Sequence, residues 1–328
     1  MIISYKNKAI FKYKTHKMRY LKIKLILFSL TFCFSSHLLN AQNDTIKVLS
    51  YNILNGFDWG KDLERKKNMT TWLKEIDADV IGFQELNDFT DEDLEIWAKE
   101  LGHDYSVLLK ENGYPIGIIS KNPIQLETKM MGGLWHGMLH VETYGIDFIV
   151  VHLSPHDWKF RRREAEIICD YTEKSIFNNP DKKLMILGDF NAHSPYDANF
   201  DTKNPIALKR SQISDSLRMV KNGPQAYQTL RDGTIDYSVI SRFLSLPLID
   251  VVQKHTSDEE RNSFPTHVVG KELSRSDFEK YKRRIDYILV SPNLSNSLIG
   301  AKVLNQGAPD TLSDHYPVLA SFLQTKTQ

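Results

Sequence analysis

The sequence predicts an α/β fold of the α+β kind, two packed β-sheets flanked by helices, and three observations predict it. Short runs rich in β-branched and apolar residues outnumber the segments with helical periodicity. From Thr45 onward no low-complexity linker and no internal repeat interrupts them, so the body of the chain reads as one domain. Composition agrees: 328 residues with 41% hydrophobic and 25% charged side chains can bury a substantial core, and fit neither a disordered chain nor a membrane bundle.

Residues 1–41 stand apart by charge, holding eight of the 42 Lys and Arg and none of the 41 Asp and Glu. Lys22 and Lys24 lead into an apolar run from Leu25 to Phe34, then small and polar residues to Ala41, the pattern of an export signal cleaved after Ala41. The run is too short for a stable membrane span. Met18 directly precedes the pattern, so a translation start there fits it as well as Met1 does, and Leu39 is an atypical residue at three before the cut. Cys33 follows the bulky Phe32, a poor match to a lipid-attachment site. The expectation is an exported, periplasmic or extracellular, monomeric domain of residues 42–328. That domain carries 34 basic against 41 acidic residues, a net charge of −7, and Cys169 as its one cysteine, which excludes an intramolecular disulfide. An acidic chain does not advertise a duplex-binding surface, because such surfaces neutralise phosphates with Lys and Arg. Lys159-Phe160-Arg161-Arg162-Arg163 is the best local exception, and a solvated helix start is its plainer reading.

Along the domain, residues 46–51 read as a strand, and 69–76 as a helix with Trp72, Leu73 and Ile76 on one face. Residues 79–83 form a buried strand and 117–120 another. Two runs, 138–143 and 146–151, make a hairpin through Tyr144-Gly145. A helix from about 158 to 175 precedes the apolar strand 184–187, and a loop-rich stretch from Asn191 to about Gly233 precedes late strands at 285–290 and 318–322.

Polar residues sit at the ends of these apolar strands, where a sheet edge gathers them into one cleft. Asn52 ends the first, Glu85 the second and His152 the hairpin, while Asp189 and Asn191 follow the 184–187 strand. Asp286 lies in a late strand, and Asp314 and His315 come just before the last. Each has a bland reading when taken singly: Asp189 as a turn former, Asn52 as a strand-end cap, Asp314 as a turn cap. Together they suggest hydrolysis with a hard cation, since carboxylate and amide oxygens suit Mg²⁺ or Mn²⁺ better than a thiolate-loving metal. Anionic phosphate oxygens repel nucleophiles, so such a site needs positive charge and a base for water. Glu85 and Asn52 are the candidate metal holders. His315 is the candidate acid–base, with Asp286 as the carboxylate that orients its ring.

The motifs Ser50-Tyr51-Asn52-Ile53-Leu54, Gln84-Glu85, Gly117-Ile118, Val151-His152-Leu153, Gly188-Asp189-Phe190-Asn191, Arg284-Ile285-Asp286-Tyr287 and Ser313-Asp314-His315-Tyr316-Pro317-Val318 fall in one order. In that order they resemble the endonuclease/exonuclease/phosphatase superfamily over roughly Thr45 to Leu323. The resemblance implies a four-layered α/β sandwich of two mixed sheets with helices outside. It implies a metal, Mg²⁺ or Mn²⁺, on Glu85 with Asn52 and Asp314 contributing. Asp189 and Asn191 then handle water and phosphate, His315 with Asp286 completes the acid–base element, and His152 contacts the scissile phosphate.

One departure stands out. Many nuclease members carry an Arg just before the strand that begins here at Gly137, where this chain has Trp135-His136, and a neutral His grips phosphate less firmly. His156-Asp157-Trp158 and Thr266-His267 are further candidates for the pocket lining. The function predicted is metal-dependent hydrolysis of a phosphodiester or phosphomonoester of a lipid head group, sugar or nucleotide. A secreted DNA or RNA endonuclease is the alternative, disfavoured by the charge and the missing Arg. A non-catalytic binding module on the same fold is disfavoured because Glu85, Asp189, Asn191, Asp286 and His315 are all present.

Overall fold

A computed structural model describes residues 45–179, 181–269, 274 and 278–324, so the expected export signal lies outside the described residues. Residues 45–328 form one compact unit. Its strands are β1 (Thr45–Asn52), β2 (Val80–Gln84), β3 (Tyr105–Leu108), β4 (Ile116–Ser120), β5 (Gln125–Met130) and β6 (Met138–Thr143). They continue with β7 (Ile146–His152), β8 (Leu184–Asp189), β9 (Ile249–Asp250), β10 (Asp286–Val290), β11 (Leu298–Val303) and β12 (Val318–Leu323). They form two six-stranded sheets, ordered β11-β12-β1-β2-β4-β3 and β9-β10-β8-β7-β6-β5. Both sheets have the same pairing pattern: a central parallel pair, β1 with β2 or β8 with β7, and antiparallel neighbours on either side.

Strand periodicity explains how the sheets meet. Ile46 and Val48 of β1, Phe148 and Val150 of β7, Met185 and Leu187 of β8, and Val318 and Ala320 of β12 join one buried cluster between the sheets. The alternate residues face outward and are covered by helices. Leu49, Tyr51 and Phe83 pack with Met69 and Leu73 of α1 (Leu63–Ile76) and with Trp97 of α2 (Asp91–Glu100). Ile149, Ile186 and Leu289 pack with Ile168 of α3 (Trp158–Ser175) and Phe243 of α5 (Ser238–Ser245). The starts of α1, α2 and α3 are capped by side chains: Asp62 accepts from Arg65 N, Thr90 and Asp93 form a reciprocal capping box, and Asp157 accepts from Phe160 N.

The predicted hairpin forms with Thr143 opposite Ile146, and Tyr144 and Gly145 both have positive φ, as a tight two-residue turn requires. The loop-rich reading of residues 191–233 is corrected. That stretch contains a short helix, Ala198–Lys203, and the 18-residue helix α4 (Pro205–Asn222), begun by a proline at its first position. Its one buried residue is Asp215, while Ile206, Ile213, Leu217 and Val220 face solvent, so the usual inward apolar stripe is missing.

The close approach of β7 and β8 depends on Gly188. Its φ is +144°, and a Cβ there would lie 1.9 Å from the carbonyl oxygen of Val151. Gly188→Ala is therefore expected to destabilise the fold by about 2–4 kcal/mol, measured by denaturant unfolding; a wild-type midpoint would refute the argument.

Candidate active site

Inner-face parity carries the site residues. Asn52, His152, Asp189 and Asp286 continue the alternate positions that form the core between the sheets, but each lies at a strand end, where the two sheets open into a cleft. Asp189 is paired in register with His152 on one side and with Asp286 on the other. The side chains follow: His152 Nε2 lies 3.5 Å and His315 Nε2 3.7 Å from Asp189 Oδ2, and His315 Nδ1 lies 2.9 Å from Asp286 Oδ2. Asn52 Nδ2 bridges the two sheets, donating to Glu85 Oε1 at 3.1 Å and to Asp189 Oδ2 at 3.2 Å, while its Oδ1 accepts from Leu54 N. Asn191 caps Asp189 with its backbone amide at 2.8 Å and its side-chain amide at 3.2 Å. Asp314 sits on the same cleft beside Glu85.

Neighbouring groups hold these in place. Glu85, at φ +61°, receives Asn55 N on Oε2 at 2.8 Å, and its carbonyl receives Gly56 N at 2.7 Å. These donors belong to a left-handed turn, Leu54 to Trp59, in which every φ lies between +50° and +61°. Such a turn is costly for L-residues and persists because its surroundings impose it. Arg65 supplies part of that constraint by donating to the carbonyls of Ile53, Leu54 and Leu312. Ser313 Oγ donates to Asn52 O at 2.6 Å, tying the His315 segment to β1, and Ser263 Oγ accepts the amides of Ile285 and Asp286. Arg284, quoted above only as part of a motif, is buried between Asp197 and Asp250 at 2.7 Å from each and anchors the start of β10. Buried Glu164 accepts from Trp135 N and Ser154 N, fixing the loops beside His136 and His152, and burial pushes its carboxyl up to about 7.

Electrostatics at the cleft are those of crowded acids. Burial, then the Asp286 and Glu85 charges, push Asp189 up to about 8, with His315 opposing. Burial and the Asp314 charge raise Glu85. His315 loses solvation by burial, yet Asp286 and Asp189 outweigh that and hold it well above the ordinary imidazole range. His152 and His136, stacked with ring centroids 4.1 Å apart, are pushed down by burial and are neutral at pH 7. Asp189, Asp286 and His315 together offer donor atoms within 4.8 Å of one another, although His315 and Asp286 are already hydrogen-bonded.

The cleft encloses about 580 Å³ and extends from Glu85 and His315 past Trp135 and His156 to the inner face of α4. Sequence reasoning missed Arg283, which lines it, packs 4.4 Å over the Phe264 ring, and has no carboxylate partner among the described residues. Its signal was its place immediately before the Arg284-Ile285-Asp286 motif. Also missed was a second imidazole–carboxylate pair on the cleft wall, His193 Nδ1 with Asp201 at 3.0 and 3.1 Å, joined by Tyr237 Oη. The Lys159–Arg163 run is not a free basic face: Arg161 is buried against the carbonyls of Ser154 and Thr229, and Arg162 pairs with Glu166. His156 lines the cleft, whereas His267 stacks on Phe278 and is not part of the lining.

A model of the Endonuclease/Exonuclease/phosphatase family matches residues 49–315, a span that contains every one of these site residues. The chain belongs to that family, and thereby to the hydrolases that act on phosphoester bonds. Solved structures share the fold. An AP endonuclease from Archaeoglobus fulgidus superposes with a TM-score of 0.59 at 16% identity, covering 84% of this chain and 99% of that one. The 3′ phosphatase NExo from Neisseria, bound to a product DNA hairpin, gives 0.59 at 18% identity with the same coverage. The 3′-5′ exonuclease NExo from Neisseria meningitidis gives 0.57 at 17%, again covering 84% and 99%. Comparison with curated proteins finds no match.

A carboxyl held above its ordinary 3.8 at about 8 subtracts stability as pH rises through that interval, because the folded state resists ionisation. With chelator present, Asp189→Asn is expected to melt above the wild type at pH above 8, the gap closing toward roughly pH 4. A pH-independent gap in the melting curves would contradict the assignment.

Proposed function

We propose that this cleft hydrolyses a compact phosphate ester with a divalent cation, Mg²⁺ or Mn²⁺, and that the protein does so outside the cytoplasm. The observation that carries the reading is the alignment of Asp189 between His152 and the His315–Asp286 pair, with Glu85 bridged to it through Asn52. The donors at the Glu85 corner fit a hard cation: Glu85 and Asp314 are both carboxylates, and Glu85 is raised by burial and by the charge of Asp314, a repulsion that a cation relieves. Glu85 and Asp314 would hold it, and Asn52 would orient Glu85. Bound there, the cation would supply positive charge against the anionic phosphoryl oxygens.

The chain's own groups provide the rest. Neutral His152 and the guanidinium of Arg283 bind phosphoryl oxygens, while Asn191, whose donors are engaged by Asp189 and Leu153, holds Asp189 in place. Asp189, with its affinity for a proton raised into the neutral range, orients the attacking water and takes its proton. Protonated His315, oriented by Asp286, stabilises the charge that develops on the phosphate and gives a proton to the leaving oxygen. A cleft of about 580 Å³ walled by α4 suits a small ester. The net charge of −7 and the basic, apolar segment before Ala41 support a small substrate and export respectively. Nuclease action is the second reading, favoured by the likeness to a phosphatase that holds a DNA hairpin.

Three tests follow from these roles. Purified protein and His315→Ala should be assayed with Mg²⁺, Mn²⁺ or chelator on an aryl phosphomonoester, a bis-aryl phosphodiester and supercoiled plasmid. Metal-dependent cleavage of the small esters, lost in the variant, is expected; plasmid nicking alone would establish the nuclease, and silence on all three would sink the reading. Glu85→Ala should lose orders of magnitude at limiting Mg²⁺ and recover part of that loss at higher concentrations, whereas unchanged activity would remove Glu85 from the site. Asp286→Asn should lower kcat ~10²–10⁴-fold with metal affinity intact. If titration shows the metal lost instead, Asp286 is a ligand.

A further inference from the structure

Helix α4 has most of its large apolar side chains on the outside. Its inner face, including Ala207, Leu208, Ser211 and Ser214, lines the cleft, and its one buried residue is Asp215. Its outer face exposes Ile206 at 41%, Ile213 at 50%, Leu217 at 64% and Val220 at 86%. Their separations of seven, four and three residues put all four on a single stripe of an α-helix. Lys209, Arg210 and Lys221 border the stripe and are exposed. The helix's only acid, Asp215, turns inward to the amides of Thr229 and Leu230 and to Arg218. A domain with a net charge of −7 thus presents, beside its cleft, a helix whose exposed charges are all positive and whose exposed stripe is apolar.

A soluble helix normally turns its apolar stripe inward. An apolar stripe bordered by Lys and Arg is the arrangement of helices that lie in the plane of a lipid surface, with aliphatic side chains among the acyl chains and cations at anionic headgroups. We propose that the outer face of α4 docks on an anionic lipid bilayer. With the inner face forming the cleft wall, docking presents the cleft to the phosphate esters of that surface; this last step rests on the hydrolase reading above, whereas the docking does not.

The experiment uses residues 45–328, the compact unit that contains all three cores, so that the apolar run Leu25 to Phe34 does not itself bind vesicles. Its flotation is measured with vesicles of phosphatidylcholine alone and of phosphatidylcholine mixed with phosphatidylglycerol. Flotation with the mixed vesicles is expected, weakened at least about tenfold in the triple variant Ile213→Ser, Leu217→Ser, Val220→Ser and by charge reversal with Lys209→Glu, Lys221→Glu. Both variants should retain wild-type melting and wild-type turnover of a soluble aryl phosphate. Absence of vesicle binding, or binding indifferent to the triple variant, overturns the proposal. So does a dimer in solution that the triple variant dissociates, because the stripe is then covered by a second copy. Vesicle binding without hydrolysis of any ester leaves the docking in place and removes the hydrolase reading.

Discussion

The double pairing of β8 is the constraint on which the site depends. Asp189 is in register with His152 on its parallel neighbour and with Asp286 on its antiparallel one, so an imidazole and two carboxylates lie abreast at strand spacing. A slip of one residue in either pairing would turn a whole strand over and send its polar end outward. The intersheet core prevents the slip, because the same inner-face positions that end in Asp189 and Asp286 begin with Met185, Leu187, Ile288 and Val290. Hydrophobic packing thereby sets the geometry of polar groups that would repel one another if free to move.

The two sheets repeat this arrangement without any repeat in the sequence. In each, the central parallel pair ends at the cleft, Asn52 and Glu85 on one side, Asp189 and His152 on the other, and the antiparallel neighbour enters from it, with His315 or Asp286 at its start. At the cleft, Asn52 reaches across to Asp189 and His315 to Asp286. The cleft thus belongs to neither sheet alone, and any displacement of one sheet over the other alters both contacts at once.

The layers and most of the convergent residues were legible because central strands are continuous apolar runs whose polar ends stand out. The elements that escaped have other chemistry. Edge strand β5, Gln-Leu-Glu-Thr-Lys-Met, is mostly exposed with only Leu126 and Met130 apolar, and α2 begins with Asp-Glu-Asp. Helix α4 escaped because its apolar stripe faces outward, and Arg283 because an arginine beside a motif looks like a solvated one until the Phe264 ring and the cleft are seen around it. The pairing of His193 with Asp201 joins a loop to a short helix, and nothing in residue type or spacing announces such a contact.

The first described strand lies between β2 and the last one: Thr45 pairs with Leu323 and Ser50 with Val318. Sheet order therefore opposes order of synthesis. Until β12 has been made, β1 has an open edge, the intersheet core lacks Val318, Ala320 and Phe322, and Ser313 is not there to bind the carbonyl of Asn52. Closing so long a loop is slow, and the chain spends that time with unpaired strands exposed. Until that last described strand is in place, the core that sets the geometry of the cleft is incomplete.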